Sequence, residues 1–270
     1  MPPPITIRKA ETAGDYLACQ SAQRQSWGLA DESYVVPIAT MVGAQEHGGL
    51  VLGAFLPDGQ AVGVTFAFLG RAEGRIVLYS QLTGIIPGYQ GQGLGYLLKT
   101  AQRDFARAEE IPCIAWAFDP LQAGNAHFNL AKLGATSNRF IPNMYGPRTD
   151  ALNRNATTDR LIALWETETS APGMRPAEEM PRLILKIATK PVFGGILESG
   201  TDLRLDIPGE INKLRILAPE MADYWTQAVR EAFLAAFATG YRATGFERSG
   251  SGASEECFYR LQPPSNRPLP

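Results

Sequence analysis

The segment Pro87-Gly-Tyr-Gln-Gly-Gln-Gly-Leu-Gly-Tyr-Leu-Leu-Lys-Thr100 sets glycines at 88, 91, 93 and 95 and then changes abruptly to a leucine-rich run. Its surroundings constrain the fold. Before it, "RIVLYSQLTGII" reads as a long strand. After it, Leu94, Leu97, Leu98, Ala101, Phe105 and Ala108 recur at helical spacing, which predicts an amphipathic helix with those residues on its core face. "CIAWAF" then follows as an apolar run without alternation, as in a strand buried on both faces. Strand, Gly-rich turn, helix and buried strand make a crossover unit, and a crossover joins parallel strands. A turn without side chains at a helix start presents unbonded N–H groups and the positive end of the helix dipole, so an anion can come close. Phosphate is the natural guest. Two familiar signatures fail: Gly91-Gln-Gly93-Leu-Gly95 is misspaced for GxGxxG, and Lys99-Thr100 falls too late for GxxxxGK[ST].

The rest of the first 170 residues alternates helices and strands. "ITIRK" reads as a strand, and Thr12 is placed to cap a helix through "AGDYLACQSAQRQSW" toward Gly28. "PIATMVGAQ" is a shorter helix. Two apolar strands flank Pro57-Asp58-Gly59, and another turn at Glu73-Gly74 leads into the long strand, giving a three-strand antiparallel meander. The expected class is therefore α/β (α+β) with a mixed central sheet. The 270 residues carry a formal charge of −2 with no basic block, which argues against a nucleic-acid partner. Three widely spaced cysteines suit a reducing compartment rather than a disulfide framework. Neither a signal-like N-terminus nor an apolar run of membrane-spanning length is seen, so a soluble cytoplasmic protein without membrane association is expected. His47 and His127 stand far apart and no CxxC or HxxxH occurs, so no metal is expected.

Gln90-Gly91-Gln92-Gly93-Leu94-Gly95, read as Q/R-x-x-G-x-G/A after a strand and before an amphipathic helix, resembles the acyl-CoA-binding motif of the GNAT superfamily, the GCN5-related N-acetyltransferases. The order of elements agrees over roughly residues 5 to 168. "AFDPLQAGNAHFNLAKLGA", "IPNMYG" and "DALNRN" further resemble a bacterial subgroup of acyltransferases with a C-terminal extension. The resemblance implies a sheet whose parallel strand pair splays apart, with acetyl-CoA or another acyl-CoA as co-substrate. It implies that Thr83, Gly84 and Ile85 offer backbone groups to the pantetheine arm, and that the N–H groups of Gln90, Gly91, Gln92, Gly93, Leu94 and Gly95 bind the pyrophosphate. Lys99 and Arg103 could reach the 3′-phosphate end of the cofactor, but read as the solvated face of the helix.

The helix Gln122 to Leu133 departs from the family pattern. The family's common Asn falls on Ala123, and its common Tyr, which often protonates the leaving thiolate, falls on Leu130. Asn125 is a candidate for the cofactor amides or an ordinary helix-start residue. Transfer to an amine requires removal of a proton, a polarised carbonyl and departure of the thiolate. Tyr145 is the candidate acid, its other reading being packing beside the Pro142 turn. The fourth strand supplies Ser80 and Gln81 but no carboxylate, so deprotonation through ordered water is one route. Asp119 is the nearest acidic candidate, against which stands Asp119-Pro120-Leu121-Gln122 as an N-cap with Pro at N1. Glu46-His47 reads equally as an acceptor-side pair or a helix terminus.

We expect a core over 1–170 and a C-terminal α/β extension over 171–270, joined by the Pro-rich "TSAPGMRPAEEMP". In the extension, "RLILKIA" and "DLRLDIP" read as strands, and a long helix shows an apolar face through Met221, Tyr224, Trp225, Ala228, Val229, Ala232, Phe233, Ala236 and Phe237. A hairpin of "YRATGFE" and "CFYRLQ" follows. The extension is either a degenerate GNAT-like half or an independent lid or dimerisation element, and a homodimer is one way to cover that helix face. The leading function is acyl-CoA-dependent N-acyltransfer to a small-molecule amine, with an amino acid as one acceptor class. The alternatives are a non-catalytic acyl-CoA-binding regulator and an aminoacyl or peptidoglycan-type transferase on a double fold.

Overall fold

The computed structural model describes residues 3–29, 32–146, 157–168, 182–183, 185–187, 191–195, 200–250 and 256–264. The chain falls into two compact units, which divide after Trp116. "TSAPGMRPAEEMP" and "DALNRN" lie outside the described residues.

The first unit contains β1 (Thr6–Lys9), α1 (Ala13–Trp27), α2 (Ile38–Glu46), β2 (Leu50–Phe55), β3 (Ala61–Ala72), β4 (Arg75–Ile85), α3 (Leu94–Ala108) and the start of β5 (Cys113–Phe118). Its strands lie in the order β1-β2-β3-β4-β5. Neighbours are antiparallel except β4 and β5, which run parallel. The expected mixed sheet with one parallel pair is present. The crossover explains it, since a helix between two strands returns the chain to the same end of the sheet. The β3–β4 turn places Glu73 and Gly74 at φ 51° and 78°, the doubly left-handed geometry that matches strand twist in tight hairpins.

α1 begins as its sequence predicts. The Thr12 hydroxyl accepts from the Asp15 N–H, and the Asp15 carboxylate accepts from the Thr12 N–H in return. Gly28 closes the helix at φ 58°. Arg8 grips Asp15 through two hydrogen bonds of 2.9 and 2.7 Å, and this contact holds the Asp15 carboxyl well below the usual carboxylate range. A carboxyl depressed in the folded state contributes stability above its unfolded pKa and loses it as the pH falls. Asp15→Asn is therefore expected to lower unfolding free energy by about 1–2 kcal/mol at pH 7. In urea titrations across pH, that deficit should narrow as the pH drops below about 4.

α3 does not present the face read from its sequence. Its buried residues are Leu94, Leu98, Lys99, Gln102 and Ala106, while Leu97 is half exposed and Ala108 is exposed. The helix is turned so that a lysine and a glutamine meet the sheet, because β3 and β4 offer the polar side chains Thr65 and Ser80 beneath it.

The second unit takes the end of β5, α4 (Ala123–Ala126), a π-helical continuation at His127–Lys132, β6 (Phe140–Ile141) and β7 (Arg160–Glu166) up to Trp165. It also holds β8 (Arg182–Leu183), β9 (Leu185–Ile187), β10 (Pro191–Phe193), β11 (Leu203–Ile207), α5 (Ile211–Leu217), α6 (Pro219–Ala238), β12 (Arg242–Ser249) and β13 (Glu256–Gln262). β12 and β13 form the expected hairpin within a four-stranded sheet of order β12-β13-β11-β8. The compact units divide after Trp116, ahead of the Pro-rich connector, and described residues of α6, β12 and β13 pack on the segment that starts at Ala117. Main-chain hydrogen bonds join Ser137 and Ala243 in both directions, and the Tyr259 hydroxyl donates to the Pro120 carbonyl at 2.7 Å. Phe233 of α6 stacks on Phe140 at 5.8 Å and meets Tyr259 edge-on at 5.1 Å. The apolar face of α6 is thus covered inside its own unit, although Tyr224 lies outside it, 38 % exposed.

Candidate functional site

The turn between β4 and α3 is open and lined by backbone. Gly88, Gly91 and Gly93 hold φ of 89°, 76° and 81°, a region that side chains disfavour. Gly93 is the N-cap of α3 and supplies no capping side chain. Among the described residues, the N–H groups of Gly91, Gly93, Leu94 and Gly95 have no hydrogen-bond acceptor. A Cβ added at Gly91, Gly93 or Gly95 would meet nothing within 4 Å. The exposed Gln90 and Gln92 side chains fold back on the loop, donating to the carbonyls of Ile85 and Gly88 at 3.0 Å, so they shape the loop. Unsatisfied amides, the helix dipole and open space suit a pyrophosphate.

β4 and β5 pair only at Leu78 with Ile114 and Tyr79 with Ala115. Register between β3 and β4 shifts between Phe66 and Ala67, leaving Gln81 as an exposed bulge residue. Beyond Tyr79, β4 runs on through Ser80 to Ile85 with its outer edge unpaired to β5, and the pair forks. Along this stretch Thr83 bonds Thr65, hydroxyl to hydroxyl, at 2.7 Å. Gly84 is a glycine for packing reasons, since a Cβ there would sit 2.5 Å from the Trp27 ring. Thr83, Gly84 and Ile85 therefore present main chain along the fork, as a peptide-like arm would require.

Lys99, read from the sequence as solvated, is 4 % exposed at the root of the fork. Its Nζ donates to the Ser80 Oγ at 2.9 Å and to the Gln102 Oε1 at 3.1 Å, and lies 4.0 Å over the Trp116 ring. Burial pulls its pKa down to about 7. The chain Lys99, Gln102, Thr65, Thr83 makes a polar seam under β4. A polar i, i+3 pair facing Ser80 and Thr65, both inside otherwise apolar strands, was the signal available in the sequence.

The candidates of the second unit are built differently. Asp119 does not cap the following helix, which starts at Ala123 after Gln122 and has no side-chain cap. Its Oδ1 instead accepts from the Leu121 N–H at 2.9 Å, and its Oδ2 pairs with Arg215 at 3.2 Å. Both carboxylate oxygens are engaged within the unit. Asn125 is exposed on α4 and Leu130 is buried. Tyr145 is 38 % exposed on a loop held from beneath. Its N–H donates to the Thr158 Oγ1 at 2.9 Å, the Asn143 N–H donates to Asp159 at 2.9 Å, and Arg230 of α6 grips Asp159 with two bonds of 2.9 and 2.8 Å. The Arg160 guanidinium stands 5.4 Å from the Tyr145 ring centre. His47 ends α2, its Nδ1 bonded to the Gly43 carbonyl at 2.8 Å, which is the helix-terminus reading.

No family model and no curated protein sequence matches the chain. Solved structures do resemble it over part of its length. The ribosomal-protein-S18-alanine N-acetyltransferase from Escherichia coli is 18 % identical, with 64 % of this chain and 100 % of that one covered and a TM-score of 0.47. A Salmonella typhimurium protein assigned as an acetyltransferase, solved with its cofactor acetyl-CoA, is 20 % identical over 64 % and 99 % of the two chains, at a TM-score of 0.48. An acetyltransferase of the GNAT family from Streptococcus pneumoniae is 15 % identical over 60 % and 99 %, at 0.46.

Among the described residues no group of three or more His, Cys, Asp or Glu could hold a metal ion, and no helix is long and apolar enough to cross a membrane. Cys19, Cys113 and Cys257 form no disulfide and are buried, and burial pushes the Cys19 thiol up to about 12, so it is a packing residue and not a nucleophile.

Proposed function

We propose that this protein is an acyl-CoA-dependent N-acyltransferase of the GNAT type that acts on the amine of a small molecule. The observation that carries the reading is the combination of a forked parallel strand pair with an open, amide-lined turn at the start of the helix that joins the two strands. The turn accepts the pyrophosphate through the N–H groups of residues 90 to 95. The unpaired edge of β4 at Thr83 to Ile85 receives the peptide-like pantetheine arm as a missing strand would. The acyl-CoA supplies the activated carbonyl, and N–H groups of β4 near the bulge polarise it. The acceptor amine loses its proton through ordered water, since β4 supplies no carboxylate.

Tyr145 is the residue we assign to protonate the departing thiolate. A thiol leaving group has a pKa of about 8.5, so the demand on the acid is modest and a phenol meets it. Support comes from its loop, where Thr158, Asn143, Asp159 and Arg230 form part-buried hydrogen bonds that place a half-exposed ring. Tyr145→Phe is expected to lower kcat by about 10- to 1000-fold, with the KM for acyl-CoA little changed, in a thiol-release assay over a panel of amines. Turnover at the wild-type level would return Tyr145 to a packing role. We assign Asp119 to holding the Pro120 turn against Arg215 in preference to base catalysis, and Asn125 stays a candidate for the cofactor amides.

One observation favours a second reading, a non-catalytic acyl-CoA sensor: Leu130 is buried where the family carries its acid. Binding of acyl-CoA without thiol release in the presence of any amine in the panel would support it. A core over 1–170 with an extension over 171–270 remains our reading of the chain's modular composition, and a reducing cytoplasm is the compartment in which three cysteines outside any disulfide are at home.

A further inference from the structure

We propose that the acyl group handled by this protein ends in a carboxylate, as in a succinyl or related dicarboxylic thioester, and that Lys99 is the residue that recognises it. The inference rests on the acyl-CoA reading of the fork and names the substrate class of that same site. Its starting point is place. The last paired residues of β4 and β5 are Tyr79 and Ala115, so Ser80 and Trp116 are the first residues past the root of the fork. Lys99 Nζ touches both, bonded to the Ser80 hydroxyl and seated over the Trp116 ring. A chain lying along β4 from the phosphate turn, from Ile85 back to Ser80, covers about 16 Å at strand rise and ends at this amine. What ends there is the acyl group.

The second observation is charge. Lys99 is buried, and its hydrogen-bond partners are a hydroxyl and an amide oxygen. Ser80 of β4, Gln102 of α3 and Trp116 of β5 face it, Thr65 of β3 bonds Gln102 behind it, and burial among these neutral groups pulls its pKa down. No carboxylate among the described residues pairs with it. A buried ammonium is costly unless an anion accompanies it, and removing or supplying that anion changes its energy steeply. A neutral acetyl group would leave the amine as it stands. An acyl chain with a terminal carboxylate brings the missing charge to the root of the fork, restores the ammonium form and gains a charge-assisted hydrogen bond.

The test is calorimetric titration of the full chain at pH 8 with CoA, acetyl-CoA and succinyl-CoA, repeated in two buffers of different ionisation enthalpy. Succinyl-CoA is expected to bind about 10- to 100-fold more tightly than acetyl-CoA. It should also take up close to one proton more per site, since Lys99 is mostly neutral at that pH without an anion. In Lys99→Met, which keeps most of the length and loses the charge, both differences should collapse. Equal affinity for the two thioesters in the wild type, or a preference and proton uptake that persist in Lys99→Met, would overturn the proposal and leave the acyl-CoA reading standing. Failure of all three compounds to bind would overturn both. Should Lys99→Met not fold, the wild-type comparison with its proton count still decides.

Discussion

Gly95→Asp should abolish acyl-CoA binding without loss of stability. Gly95 is the second residue of α3, its added Cβ would meet nothing within 4 Å, and its φ is not in the left-handed region. Replacing glycine inside a helix removes about 0.5–1 kcal/mol of conformational penalty, and an acidic side chain in a first turn interacts favourably with the helix dipole. The folded state therefore gains slightly or is unchanged. The ligand meets the opposite effect. A carboxylate about 5 Å from a phosphate charge repels it by about 3 kcal/mol at an effective dielectric of ~20, enough for a loss of about 100-fold or more. Gly95→Ala adds a methyl without charge and separates sterics from electrostatics. The measurement is titration with CoA alongside a thermal melt. An Asp variant that binds CoA as the wild type does would remove the pyrophosphate from this turn, and with it the proposed function.

Phe233→Ala is the substitution expected to cost most in stability. Phe233 is fully buried on α6, with ring neighbours Phe140, Phe237 and Tyr259 at 5.8, 5.4 and 5.1 Å. Truncation leaves a cavity at the centre of that cluster, and large-to-small changes of this kind lower unfolding free energy by about 3–5 kcal/mol. Much of a unit's net stability is of that size. Because Phe140 lies on the segment before the connector and Tyr259 near the end of the chain, the loss should appear as a shift in the urea midpoint of the second unit. A change below about 1 kcal/mol would mean that the cluster does not anchor the last hundred residues. Phe233→Leu, which refills part of the volume, should recover a portion of the loss.

The elements that follow from local chemistry were legible in the sequence. Thr12 and Asp15 make their reciprocal cap, Gly28 ends α1, the Pro57-Asp58-Gly59 and Glu73-Gly74 turns join the meander, and the crossover around α3 produces the parallel pair. Each depends on contacts a few residues apart, or on the handedness of a connection. The Gly-rich turn belongs with them, since positive φ and bare amides are properties of that segment itself.

Tertiary structure decided the rest, for a common reason: a side chain's burial depends on what the opposing element offers. Helical spacing put Leu97, Ala101, Phe105 and Ala108 with Leu94 and Leu98 on the core face of α3, whereas Ser80 and Thr65 of the sheet draw Lys99 and Gln102 inward and leave Leu97 half exposed. Asp119 had the spacing of a helix cap, but Arg215, 96 residues away, takes one of its oxygens and a turn takes the other. The apolar face of α6 announced that it needed a cover; that the cover is Phe140 and Tyr259 of its own unit is a matter of long-range packing. Sequence alone determined the Gly-rich turn, the order of strands and helices and the class of fold. The buried lysine at the fork and the support of the Tyr145 loop arise only where strands and helices distant in sequence meet, because burial and pairing energies belong to both partners and neither sequence segment carries them alone.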